Sequence, residues 1–313
     1  MKKVLKYVPI GILTAVLIVY YVLLLVGRVS FETVTYEVPT EKVTVPVKIA
    51  VLADLHNWTF GKDNTKLIEE IRLQEPDIII IAGDLINSDN RDASDAIELC
   101  RKLTTAAPVY YSYGNHENIY VYGQDIDRAY LDYYKLLYQN DPYGTMNYDR
   151  FKPVHDDLPL ALEEMGIRLI NNNAERIEVK GQTIDIAGID NMPGSYFPYS
   201  SSMVRSFLND EPENFKLIVA HRPTLVLGGI SQQEDAWYDL AVSGHRHGGI
   251  IRIPGLGGMF SAGGFFPWFT GYDAGMYETD KGTLFVSRGL GNNNILPRIN
   301  NKPELAMISL IPE

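Results

Sequence analysis

Residues 48–56, Lys-Ile-Ala-Val-Leu-Ala-Asp-Leu-His, and residues 77–85, Asp-Ile-Ile-Ile-Ile-Ala-Gly-Asp-Leu, decide the fold. Each is a short apolar run that ends on polar residues able to do chemistry. Lys48–Ala53 reads as a strand, and Asp77–Ala82 is continuously apolar, as a strand buried on both faces is. Between them Asn64–Gln74 reads as a helix, with Leu67, Ile68 and Ile71 on one face and Pro76 beyond its end. Asp89–Thr104 is a second helix and Val109–Tyr113 a third strand. This order predicts a sheet with right-handed crossovers.

Further along, the helices thin out. Short strands are expected at Arg168–Ile170, Arg176–Val179, Thr183–Ala187, Lys216–Ala220, Asp239–Ser243, Ile250–Ile253, Thr283–Ser287 and Leu305–Leu310. Together with the opening they predict an α/β domain over residues 47–313, two packed sheets flanked by helices in a four-layer α-β-β-α sandwich. Residues 117–160 form a Tyr-rich insertion, too long for a simple connection and expected to make a lobe of its own. Gly244–Gly291 is rich in Gly and aromatic residues and reads as irregular chain. Residues 29–46, rich in Val, Thr and Glu with Pro39 and Pro46, read as a linker or edge strand.

The first 28 residues are of another kind. From Tyr7 to Gly27 no residue carries a formal charge, and a helix of that length matches the ~30 Å hydrocarbon core of a bilayer. The run exceeds a typical signal-peptide core, and no A-x-A-like cleavage site follows it. Residues 1–28 therefore read as a cytoplasmic tip and one transmembrane helix. Lys2, Lys3 and Lys6 precede the span, whereas Glu32, Glu37 and Glu41 follow it. The positive-inside bias then places the N-terminus in the cytoplasm and the domain outside, at the cell membrane.

Composition narrows the chemistry. The 313 residues carry a net charge of −11, and the first 28 contribute four basic residues and no acid, so the remaining 285 carry −15. A body that acidic is a poor partner for nucleic acid, where neutralising phosphates supplies most of the affinity. One cysteine, Cys100, rules out a disulfide framework and a cysteine-rich zinc module.

What remains is concentrated at strand ends. In order these carry Asp54-Leu55-His56, Gly83-Asp84, Gly114-Asn115-His116-Glu117, His221, and Gly244-His245-Arg246-His247-Gly248. In extended backbone, residues i and i+2 face one side, so Asp54 with His56, and His245 with His247, are each expected to reach one centre. Ligand sites of α/β sheets form beyond the carboxyl ends of strands. Two Asp, one Asn and several neutral imidazoles suit Mn, Fe, Zn or Ni rather than Ca. Seven candidate ligands, Asp54, His56, Asp84, Asn115, His221, His245 and His247, exceed what one tetrahedral ion needs and match two divalent ions sharing a carboxylate.

These blocks, with His221-Arg222-Pro223 and the later Ser287-Arg288-Gly289-Leu290-Gly291-Asn292, resemble the calcineurin-like metallophosphoesterase superfamily, and within it the membrane-anchored bacterial branch. The resemblance implies a metallo-dependent phosphatase-like sandwich that hydrolyses phosphate mono- or diesters with a hydroxide bridging two metals. It implies that Asp54, His56 and His247 bind the first ion, that Asn115, His221 and His245 bind the second, and that Asp84 bridges them. His116 is then the proton donor to the leaving oxygen. Where the superfamily often has a second Asp three residues after the bridging one, orienting that His, this chain has Asn87. An amide there would accept a hydrogen bond without stabilising an imidazolium. Arg222, Arg246 and Arg288 are candidate substrate contacts. Anchoring points to a lipid- or wall-linked substrate. The alternatives are a binding or scaffold protein on the same fold, and a pyrophosphatase acting on a nucleotide-activated acyl sugar.

Overall fold

The computed structural model describes residues 8–89, 92–122, 154–189, 207, 209–230, 237–260, 271–292 and 296–313. A 22-residue helix, α1 (Val8–Val29), comes first. Among the described residues no helix is long and apolar enough to cross a membrane. The side chains of α1 are described without interruption only over 12–23.

The rest is two six-stranded sheets. The first contains β1 (Glu32–Thr40), β2 (Val47–Leu52), β3 (Ile78–Ala82), β4 (Val109–Ser112), β5 (Arg168–Leu169) and β14 (Glu304–Pro312), in the order β1-β14-β2-β3-β4-β5. From β2 to β5 the pairing is parallel, as strand–helix–strand units require. The second contains β6 (Ala174–Val179), β7 (Gln182–Ile189), β8 (Phe215–Ala220), β9 (Leu240–Ser243), β12 (Gly275–Thr279) and β13 (Gly282–Val286), in the order β12-β13-β9-β8-β7-β6. Its central strands β7, β8, β9 and β13 are also parallel. A two-residue ladder, β10 (Arg252–Ile253) with β11 (Gly257–Gly258), stands outside both.

The alternation of the strands sets the layers. Val47, Ile49, Val51, Ile78 and Ile80 meet Ile184, Ile186, Leu217, Val219, Leu240 and Val242 in the core between the sheets. Ala50, Leu52, Ile79 and Ile81 point the other way, against helices. Each fully buried Ile or Val contributes roughly 1.5–3 kcal/mol relative to exposure. The helices of that layer are α2 (Thr65–Gln74), α3 (Ser94–Leu103), α4 (Asn115–Tyr122) and α5 (Asp157–Glu164). Helix α2 buries Leu67, Ile68 and Ile71 and leaves Leu73 exposed. It stops because Glu75 turns left-handed at φ 51° and Pro76 cannot continue a helix. A third cluster around Ile218, Ala241, Val226 and Tyr238 covers the outer face of the second sheet.

The strands expected from the sequence are present with ends shifted by a residue or two. Residues 32–40 form an edge strand, paired in parallel with β14 from Glu32↔Glu304 to Thr40↔Pro312. Strand β12 and helices α4 and α5 were not expected. Of the Tyr-rich insertion, residues 123–153 lie outside the described residues, as does the whole of the aromatic stretch 261–270.

Candidate metal centre

The carboxyl ends of β2, β3, β4, β8 and β9 deliver the polar blocks to one place. They do so through left-handed turns rather than by extending the strands. Asp54 (φ 53°), His56 (φ 48°), Asp84 (φ 55°), His245 (φ 69°) and His247 (φ 48°) all lie in the region that L residues avoid. The expectation that i and i+2 converge through extended backbone is therefore corrected. Asp54 and His56 converge because the chain coils between them. Each such residue costs about 1–2 kcal/mol, a strain that surrounding contacts must offset.

The resulting distances are short. Nε2 of His221 lies 3.0 Å from the Asp84 carboxylate, Nε2 of His56 3.8 Å from it, and Nε2 of His116 4.0 Å. Asp54 lies 3.5 Å from Nε2 of His247 and 4.0 Å from Nε2 of His56. Three groups have all their ligand atoms within 4.8 Å of one another: Asp54, His56 and His247; His56, Asp84 and His116; and Asp84, His221 and His245. His56 and Asp84 each belong to two groups, so Asp84 stands between His56 on one side and His221 with His245 on the other.

The donor set fits divalent cations. Nε2 of His56 faces Nε2 of His247 at 3.1 Å, and Nδ1 of His245 faces Nε2 of His221 at 3.2 Å. Nitrogens that meet so closely in a buried space are placed to share a cation. Oδ1 of Asn115, the expected ligand atom of that residue, is buried and has no hydrogen-bond partner. Three of the imidazoles are held in the neutral, ligating form. Burial pulls His56 down to about 3 and holds His245 and His247 well below the usual imidazole range, so their lone pairs are free. Burial pushes Asp54 up to about 7. At Asp84 burial opposes the charge, but His221 outweighs it and holds the carboxyl well below the usual range. His221 itself is raised to about 9, burial again opposing and Asp84 prevailing.

The loop after β3 is held by its backbone amides. The N–H groups of Asp84 and Leu85 donate to the Glu117 carboxylate at 2.7 Å each, and that of Ile86 at 3.3 Å. The N–H of Asn87 donates to Oδ1 of Asn57 at 2.6 Å, and that of Ser88 to Nδ1 of His116 at 2.9 Å. Five consecutive amides therefore set the positions of Asp84, Asn57 and His116. This revises the role expected of Asn87. Nδ1 of His116 accepts a hydrogen bond, so it has no proton to offer an acceptor at position 87, and the ring proton sits on Nε2.

Glu117 was not expected to matter. It is fully buried, and it also accepts from Gly114 N–H and the Tyr111 hydroxyl at 2.8 Å each. A carboxylate directly after the candidate proton donor His116 and two residues after the candidate ligand Asn115 was the available signal. Asp273 was missed as well: it accepts from Arg246 at 3.1 Å and from the Gly258 amide at 3.2 Å. Of the other candidate substrate contacts, Arg288 is directed to Glu32 (2.8 Å) and Glu304 (3.3 Å). Arg222 follows His221, and its charge acts on His245.

Comparison with known proteins gives one family. Its description is calcineurin-like phosphoesterase, and its profile matches residues 47–249. The uncharacterized metallophosphoesterase YkuE of Bacillus subtilis is 26% identical over 268 residues, 84% of this chain and 78% of that protein. The phosphodiesterase YaeI of Escherichia coli is 25% identical over 271 residues, 85% of this chain and 83% of that protein. A transmembrane protein with metallophosphoesterase domain from Danio rerio is 25% identical over 316 residues, 96% of this chain and 61% of that protein.

Proposed function

The chain belongs to the calcineurin-like phosphoesterase family, and from that premise we propose that it cleaves a lipid- or envelope-linked phosphate mono- or diester from a domain tethered to the cell membrane by α1. It is a hydrolase acting on phosphoric ester bonds, and its cofactors are two divalent metal ions drawn from Mn, Fe, Zn or Ni. The observation that carries the reading is a chain of shared ligands: His56 belongs to the group of Asp54 and His247 and also groups with Asp84, and Asp84 groups in turn with His221 and His245.

Asp54, His56 and His247 would hold one ion, and Asn115, His221 and His245 the other, with Asp84 between them. When bound, such a pair activates a water for attack at phosphorus and offsets charge on the phosphoryl oxygens. The residues of the chain do the rest. The five amides of residues 84–88 fix the geometry before substrate arrives, which is where most of the advantage in phosphoryl transfer lies. His116 presents the Nε2 proton to the leaving oxygen. Nδ1 accepts from the Ser88 amide, so the proton directed to the leaving oxygen is the one on Nε2.

What supports the tether is the state of α1 and of the charges around it. Ile12, Leu13, Val16, Ile18, Tyr21 and Leu25 are each at least half exposed. An apolar surface of that kind is stable only against lipid or protein. The basic residues before the helix and the acidic ones after it favour a cytoplasmic N-terminus and an extracytoplasmic domain. A substrate at the membrane follows from that placement.

The test is a screen of mono- and diesters, lipid-linked ones included, with the full chain loaded with each metal in turn. Turnover that peaks on a lipid- or envelope-linked ester is the expected result. A preference for soluble esters alone removes the substrate proposal. Protease added to intact cells should digest the domain, and protection of the domain reverses the topology.

A further inference from the structure

The family profile ends at residue 249, yet the centre is completed from beyond it. Residues 287–292 and 296–301 lie across the first ligand group. The amide of Leu290 donates to the Ala53 carbonyl at 2.9 Å, and that of Gly291 to the Asp54 carbonyl at 2.7 Å. Gly289, at φ 71°, packs so close to Asp54 that a Cβ there would meet the Asp54 Cβ at 2.7 Å. The same segment carries Arg298, a cation only 7% exposed.

Among the described residues, the hydrogen-bond partners of that guanidinium lie on this strap or at His247. Nε donates to the Gly291 carbonyl at 3.1 Å, and Nη2 donates to it as well. Nη1 donates to the Arg288 carbonyl at 2.7 Å and reaches the His247 carbonyl at 3.5 Å. Asn301 adds a second donor to the His247 carbonyl at 2.7 Å. One planar fork therefore spans two connections. It touches His247 directly, and through Gly291 it holds the backbone of Asp54, whose carboxylate in turn accepts the His245 amide at 2.9 Å.

We infer that Arg298 is a positioning residue: it locks His247 and Asp54 into the geometry that binds the first of the two ions, leaving the His221–His245 group to bind the second without it. The inference rests on the two-metal reading above. The fixed five-donor fork is what the role needs. A lysine keeps the charge but offers three donors on a flexible stem and cannot span both connections. Residues that orient metal ligands typically change affinity by about 10–100-fold when altered.

The experiment is Mn²⁺ titration of the cation-free full chain, wild type against Arg298→Lys, by calorimetry, with a melting curve of each cation-free protein. The wild type should bind two ions tightly. Arg298→Lys should melt near the wild type, keep one ion at wild-type affinity and bind the other about 10–100-fold more weakly. Two tightly bound ions in Arg298→Lys, or equal weakening of both, would overturn the assignment. If Arg298→Lys does not fold, Asn301→Ala, which removes the donor to the His247 carbonyl (2.7 Å) and to the Ile250 carbonyl (3.2 Å) and leaves Arg298 in place, tests the same anchoring of His247. Weakening of one ion supports the lock, and no weakening rejects it. A wild-type chain that binds fewer than two ions refutes the two-metal reading instead, so the two failures are distinct.

Discussion

The backbone amide of Ser88 donates to Nδ1 of His116 at 2.9 Å, while Nε2 of the same ring points to the Asp84 carboxylate 4.0 Å away. One contact fixes the tautomer, and the other places the remaining proton over the candidate metal bridge. His116→Ala is expected to keep both cations and to lose about 10²–10⁴ in kcat, the usual contribution of a positioned proton donor. The loss should be larger for an alkyl ester than for a p-nitrophenyl ester, because the poorer leaving group needs the proton more. Metal content and the two rates check this. Equal losses on both esters would take His116 out of leaving-group protonation.

Glu117 accepts four hydrogen bonds of 2.7–2.8 Å, from Asp84 N–H, Leu85 N–H, Gly114 N–H and the Tyr111 hydroxyl. No cation is among these partners, so dipoles alone balance its charge. Burial and the charge of Asp84 push its carboxyl up, and the amides act against that. Glu117→Gln keeps the volume but turns one acceptor into an N–H₂ group that faces other donors. Bonds to a charged group are worth about 1.5–3 kcal/mol each, so the variant should lose at least that much stability in a urea titration. Wild-type stability would show that the amides find other acceptors.

The metal-ligand set was legible in the sequence because chemistry-bearing residues stand at the ends of apolar runs, and apolar runs name their strands. Asp54, Asp84, His221, His245 and His247 needed only that reading. The support of the site was not legible, for two physical reasons. Backbone amides have no letter of their own, so the donors at Asn87 and Ser88 are invisible, and an orienting side chain was looked for at position 87 instead. Partners distant in sequence are equally hidden. Nothing near His247 announces Arg298, 51 residues on, or, for Arg246, Asp273. Strand β12 (Gly275–Thr279) was missed because it sits at a sheet edge with mostly half-buried residues, leaving no apolar run to mark it.

Away from the centre, Asp185 and Lys216 form a fully buried ion pair of 2.6 Å, joined by Arg176 at 2.8 Å and Asn214 at 3.3 Å. Burial alone would raise the Asp185 carboxyl, but the hydrogen bonds from Arg176, Lys216 and Asn214 hold it below its ordinary value. A carboxyl depressed by folding contributes stability that is complete above the unfolded carboxylate range and fades as pH falls through the folded value. Asp185→Asn leaves Lys216 buried without its counter-charge and should cost about 3–5 kcal/mol at neutral pH. The difference between wild type and variant should then shrink at pH values below the ordinary carboxylate range. Denaturant midpoints measured from neutral to acid pH check both parts. A difference that stays constant into acid would show that Asp185 is not charged in the folded protein.

Gly114 and Asp84 touch across the gap between the β3 and β4 loops. A Cβ on Gly114 would lie 2.7 Å from the Asp84 amide nitrogen and 2.8 Å from its Cγ, and closer still to Oδ1. All three atoms of the collision belong to the residue that two ligand groups share, and the Asp84 amide is already fixed on Glu117 at 2.7 Å. The carboxylate must therefore move, since the backbone cannot. Gly114→Ala should weaken binding of both cations, by at least about tenfold, unlike a change at Arg298, which should touch one. Gly228→Ala is the control, because a Cβ there meets nothing within 4 Å. Calorimetric titration of the two variants against wild type decides it. If Gly114→Ala binds both ions as the wild type does, Asp84 has room to retreat and the contact does not set the bridge.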